Sequence, residues 1–198
     1  MHSSTRPVRM RTVTRAHRLR TQSNAPAVPR IVEHDPRPGD IHPVTRAMLL
    51  RLLPSLPKPL LRNISSIELR ARVSPEVGNP YGTYSPRDAM IRLFSVPFPD
   101  WPCKLEVLRP QSGLASCGAT LIAREGQSFI HWNRTLDVAR FYFAVVLAHE
   151  LGHHYVYLNR RRRQLPETMR GHEQRASRLM WRIGALAAFK REFGNGDA

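Results

Sequence analysis

Ala148-His149-Glu150-Leu151-Gly152-His153-His154 is the stretch on which the fold turns. It sits inside residues 136–158, a run that is apolar on nearly every side through Phe141-Tyr142-Phe143-Ala144-Val145-Val146-Leu147-Ala148. A helix apolar all round belongs in a core. The pattern predicts one long buried helix, ended by residues 160–164 and Pro166. On it, His149 and His153 are four residues apart and share one face. Two neutral imidazoles one turn apart supply half of a tetrahedral shell for a divalent metal. Glu150, beside them, can take a proton from a metal-activated water. Core packing asks for neither two histidines nor an acid here, and a buried Glu150 without partners is costly.

A catalytic zinc keeps three protein ligands and one open position. Glu173, Glu167 and His172 can each supply the third ligand. On the final helix, expected from Glu167 or Gly171 to Phe189, Glu173 shares a side with Ala176, Met180, Ile183 and Ala187. That is the apolar side, and it packs inward. Glu167 follows Pro166 at the helix start, where the helix dipole alone favours an acid. His172 points to a different side. Glu173 leads on this geometry, with the other two open. His154 is rotated off the metal face and reads as a surface or outer-sphere histidine. Tyr155, Tyr157 and Arg170 are candidates to stabilise an oxyanion, and helix packing explains the tyrosines equally well.

Before this helix the periodicity switches to short strands. Residues 64–73 alternate Ile67, Leu69 and Ala71 with Glu68, Arg70 and Arg72, a strand with one buried face. Further strands are expected at residues 89–96, 105–108 and 117–123 and at Gln127–Trp132. Arg124-Glu125-Gly126 joins the last two as a hairpin. Residues 75–86, with Gly78, Asn79, Pro80 and Gly82, read as turns. Residues 97–103, rich in Pro and Trp, read as an irregular loop. A helical pattern over residues 42–61 is interrupted by Pro54 and Pro57. The elements add up to an α+β fold: a small, mainly antiparallel sheet packed on the histidine helix and a C-terminal helix. An edge strand at Gln127–Trp132 is expected to hold an extended substrate as an added strand.

Residues 1–40 hold five prolines, no apolar periodicity and many arginines, and are read as a flexible basic arm. The folded domain is expected over residues 41–193, with 194–198 as a tail. The net charge is +16, and the only lysines are Lys58, Lys104 and Lys190. Such a charge favours nucleic acid or another polyanion, with the arm and Arg160-Arg161-Arg162-Arg163 as the contacts. No run is long and apolar enough to span a bilayer. No secretory leader is expected, although the first thirty residues have a transit-peptide-like composition. Cys103 and Cys117 form no metal-binding pair, and a cytoplasmic protein with two reduced thiols is the expectation.

Taken together, Phe129-Ile130-His131-Trp132-Asn133, Arg140-Phe141, Ala148 through His153 and Glu173-Gln174-Arg175-Ala176 resemble the ImmA/IrrE-type zinc metallopeptidases, over residues 128–183. That family has a strand ending near an Asn, a helix carrying H-E-L-G-H and a following helix carrying E-x-x-A. The resemblance implies a zincin-like fold and a gluzincin-like site. His149, His153 and Glu173 would hold Zn2+, with Glu150 as catalytic base and a protein or peptide as substrate. Arg178, Arg182 and the lack of a closing proline depart from the family's last helix, and no helix-turn-helix domain is visible. The rival expectation is a basic nucleic-acid-binding or regulatory protein with a non-catalytic metal site.

Overall fold

The computed structural model describes residues 28–72, 81–103, 111–163 and 169–194. The arm up to residue 27, the turn residues Gly78, Asn79 and Pro80, the strand expected at 105–108, Glu167 and the last four residues lie outside the described residues.

Strand β1 (Arg30–Glu33) buries Ile31 and is followed by β2 (Asp40–Ile41). Helix α1 (Arg46–Leu52) starts at Thr45, whose hydroxyl accepts the Met48 N–H at 3.2 Å. Pro54 and Pro57 remove donors that a longer helix would need. The chain therefore passes through a 3-10 turn, Leu53–Ser55, into the single-turn α2 (Lys58–Leu61). Strand β3 (Ser66–Arg70) buries Ile67 and Leu69, as its alternation predicts. Next come β4 (Gly82–Ser85), β5 (Met90–Phe94), β6 (Val96–Pro97), β7 (Asp100–Cys103) and helix α3 (Gln111–Ser116). Strands β8 (Ala119–Arg124) and β9 (Gln127–Trp132) form the expected hairpin. Its turn residues Glu125 and Gly126 have φ of 51° and 76°, the left-handed pair that a two-residue hairpin favours.

The strands make three sheets rather than one. The largest has the order β1-β3-β5-β4, with β1, β3 and β5 parallel and only β4 antiparallel. The mainly antiparallel expectation therefore holds for β7-β9-β8 and β2-β6 but not for the sheet beside the histidine helix. Parallel neighbours need a crossover, and α1 and α2 lie on the connection from β1 to β3. The arm also ends earlier than position 40, because Arg30–Glu33 pairs along β3 from Ser66 to Leu69. Two segments read as turn or loop are strands, namely β4 and β7. Strand β9 is central in its sheet, so it offers no free edge to a substrate.

Helix α4 (Thr135–Phe141) runs on through a π-helical segment, Tyr142–Leu147, into α5 (Ala148–Arg163). This is the long helix the sequence predicts. The wider π turn shifts the phase of everything after it. Phe143, Leu147, Ala148 and Leu151 are fully buried, and each large apolar side chain contributes about 1.5–3 kcal/mol. The Tyr142 hydroxyl donates to the Phe94 carbonyl at 2.7 Å, tying the π segment to β5. The C-terminal helix expected as one piece is two: α6 (Met169–Arg182) and α7 (Ala185–Phe193). They break at Gly184, which has φ of 73°, a conformation open to glycine. Helix α6 lies along α5, and β4 packs against α5 on another side. Among the described residues no helix is long and apolar enough to cross a membrane.

Candidate metal centre

The site begins with a close approach of two backbones. A Cβ on Gly152 would lie 2.7 Å from the Ala176 carbonyl oxygen and 2.9 Å from its Cα. Only glycine allows α5 and α6 to touch there. Ala176 is one turn beyond Glu173, so the contact that needs a small residue also delivers the carboxylate.

His149 Nε2 and His153 Nε2 are 2.9 Å apart. Glu173 Oε1 lies 3.0 Å from the first, and Oε2 lies 3.2 Å from the second. The imidazoles meet edge to face, with centroids 4.6 Å apart. Tetrahedral zinc with bonds near 2.0–2.1 Å holds its ligand atoms about 3.3 Å from one another. Two nitrogens and the two oxygens of one carboxylate at these spacings suit such an ion, and the group could hold a metal. The Glu173 side chain is 57% exposed, so the group opens to solvent on that side.

The electrostatics agree with the geometry. Burial lowers His149, against the pull of Glu173. Burial and then the His149 ring push His153 down to about 4. Both imidazoles are therefore neutral near pH 7, the form that binds metal. Glu150 is buried beside them. Its carboxyl is pushed up to about 8, first by burial and then by Glu173, while the Tyr84 backbone N–H draws it the other way. A divalent cation in the group would hold it lower.

That N–H brings β4 into the site. Phe94 N–H donates to the Tyr81 carbonyl at 2.9 Å, so Tyr81 and Thr83 face β5 while Tyr84 turns its backbone N–H outward. A Cβ on Gly82 would lie 2.8 Å from Val146 Cγ1 and 3.3 Å from Glu150 Cγ, which shows how closely β4 sits on the helix.

His154 is fully buried, not a surface residue. Its Nε2 donates to the Arg62 carbonyl at 2.7 Å, because that oxygen can only accept. Its Nδ1 then accepts from the Tyr84 hydroxyl at 2.9 Å. Burial, and then Tyr157, push that hydroxyl up, so it stays a donor. His154 thus clamps α5 to β4 and takes no part in the metal group.

The remaining candidates separate cleanly. His172 meets the far nitrogen of His153 and stays outside the group of three. Glu167 and the Arg170 side chain lie outside the described residues. Tyr157 packs on Tyr84, and Tyr155 leans on the core. Asn133 is engaged by His131, not by the metal group. Cys117 is buried, with its thiol pushed up to about 11 mainly by burial, and is a poor ligand or nucleophile. The parts missed from sequence are β4, the Gly152–Ala176 contact and the His172 contact. The glycine between the histidines and the alanine three places after Glu173 were visible signals for the second.

No protein-family model, curated protein or solved structure matches this chain, so its function is read from the site itself.

Proposed function

We propose that this chain is a zinc-dependent metallopeptidase of the ImmA/IrrE type. The observation that carries the reading is the convergence of His149 Nε2, His153 Nε2 and the Glu173 carboxylate, with Glu150 buried alongside. A zinc ion held there would supply Lewis acidity and lower the pKa of its water towards about 7. Glu150 takes the proton from the attacking water and passes it to the leaving amine. The Tyr84 N–H favours its carboxylate form against the opposing push of burial, and a cation held by the group would favour it further. His149 and His153 stay neutral and orient the group. The strand beside Glu150 is β4, not β9, and its outward Tyr84 N–H is spent on Glu150.

The test is Glu150→Gln beside wild type, read by elemental mass spectrometry and by cleavage of a peptide library. The expected result is about one zinc per chain in both, with hydrolysis down by at least about a thousandfold in the variant. A wild type that takes up no zinc, or a variant that cleaves as fast, ends the proposal.

The second reading, a basic nucleic-acid-binding or regulatory protein, has an observation of its own. Gln174, Arg178, Trp181 and Arg182 share the outward face of α6, and Trp181 is 50% exposed. Among the described residues, the acids flanking this face in sequence are engaged elsewhere: Glu173 by the histidines and Glu192 by Arg51. This reading predicts DNA or RNA binding that falls steeply with salt and ignores zinc removal.

A further inference from the structure

The two nitrogens of His153 meet different partners. Nε2 faces His149 and Glu173. Nδ1 lies 2.9 Å from Nδ1 of His172. A neutral imidazole has one N–H and one lone pair. If Nε2 offers its lone pair to a metal, the proton must sit on Nδ1. That N–H points at His172 Nδ1, which can then only accept, so the proton of His172 sits on its own Nε2. The two rings are nearly parallel, 10° apart, with centroids at 5.0 Å.

Helix α6 therefore reaches His153 twice from consecutive residues. Neighbouring helix positions differ by about 100° in direction, so Glu173 arrives on the metal side of the imidazole and His172 on the opposite nitrogen. Both are placed by the same backbone contact at Gly152 and Ala176.

We propose that His172 is a positioning residue that accepts the Nδ1–H of His153, fixes its tautomer and ring angle, and so sets the affinity of the site for a divalent cation. The inference rests on the metal-site reading above and goes beyond it, because the ligand set alone does not require His172. An acceptor behind a ligating histidine typically accounts for about 10–100-fold in metal affinity.

The experiment compares zinc dissociation constants, by chelator competition, in wild type, His172→Phe, His172→Leu and His172→Gln. Phe keeps a flat ring without an acceptor, Leu removes both, and Gln restores a carbonyl acceptor. Phe and Leu are expected to weaken zinc binding about 10–100-fold, with Gln within about threefold of wild type. The thermal midpoint of the metal-free protein should stay within a few degrees for Phe or Leu, which separates lost affinity from lost fold. Cobalt(II) spectra should keep the same band positions in all four proteins, because the ligands are unchanged. Unaltered affinity in a folded acceptor-free variant overturns the proposal and leaves a packing contact. A cobalt spectrum that loses a nitrogen ligand in His172→Phe also overturns it, because His172 would then be a ligand itself. Wild type that binds neither zinc nor cobalt refutes the site as a whole, and does so before any substitution is made.

Discussion

Among the described residues, two clusters pair histidine with a carboxylate, and only one of them has the makings of a metal site. In the three-stranded sheet, His131 Nδ1 lies 2.6 Å from Asp100 Oδ1 and Nε2 lies 3.1 Å from Asn133 Oδ1. Arg124 donates to the other Asp100 oxygen at 2.7 Å. The arginine supplies the positive charge, and the two ring nitrogens point to separate oxygens. At the α5–α6 seam, two ring nitrogens converge on one carboxylate. In a chain with 31 basic residues, an acid that two histidines meet stands out. Residue types and pair distances are nearly the same in the two places. Convergence of the ring nitrogens on a single carboxylate is what differs.

The largest expected effect lies in removing one arm of the convergent cluster. His153→Ala should fall from about one bound zinc per chain to none measurable, while His131→Ala should keep its full complement. Elemental analysis of both folded variants decides this. Equal zinc in the two would make the clusters alike and erase the distinction drawn above.

A smaller effect is expected from the contact that creates the convergence. Gly152→Ala puts a Cβ against the Ala176 backbone, and backbone cannot swing aside as a side chain can. The expected cost is about 1–3 kcal/mol in denaturant unfolding, together with at least tenfold weaker zinc binding if the helices part. Unchanged stability and affinity would show that the two helices reach the site by some other constraint.

The convergent cluster was largely legible in the sequence, because the separation of His149 and His153 fixes their angle on any helix. Glu173 was legible through the apolar phase it shares with Ala176 and Met180. His172 was placed on another side of α6, which is correct. A helical projection does not show that an imidazole has two nitrogens to be met from two sides. The strand cluster was not legible. Trp101 and Pro102 read as a loop, although proline is tolerated on an edge strand, and β7 is one. The same holds for β4, whose Gly82 and Ser85 sit beside Pro80 and Pro86 and read as turn. It is a strand because β5 offers it a partner. The parallel order β1-β3-β5 is set by non-local pairing, which no local pattern encodes, and in β1 only Ile31 and Val32 hinted at it.

The smallest expected effect belongs to the strand cluster and carries a pH signature. Asp100 is held below the usual carboxylate range, first by its hydrogen bond to His131 and then by Arg124, against the push of burial. A carboxyl lowered on folding favours the native state above its unfolded pKa, and that contribution disappears as pH falls through the lower folded value. The side chain is partly exposed, so solvent screens the pair and its worth stays under about 1 kcal/mol. Asp100→Asn should therefore lower the urea midpoint slightly at about pH 6. The gap to wild type should narrow as pH drops towards about 3, with zinc content the same throughout. A gap that widens in acid would mean that Asp100 is raised rather than lowered by folding. A loss of zinc would join the two clusters into one device, with the strands feeding the seam that α5 and α6 build.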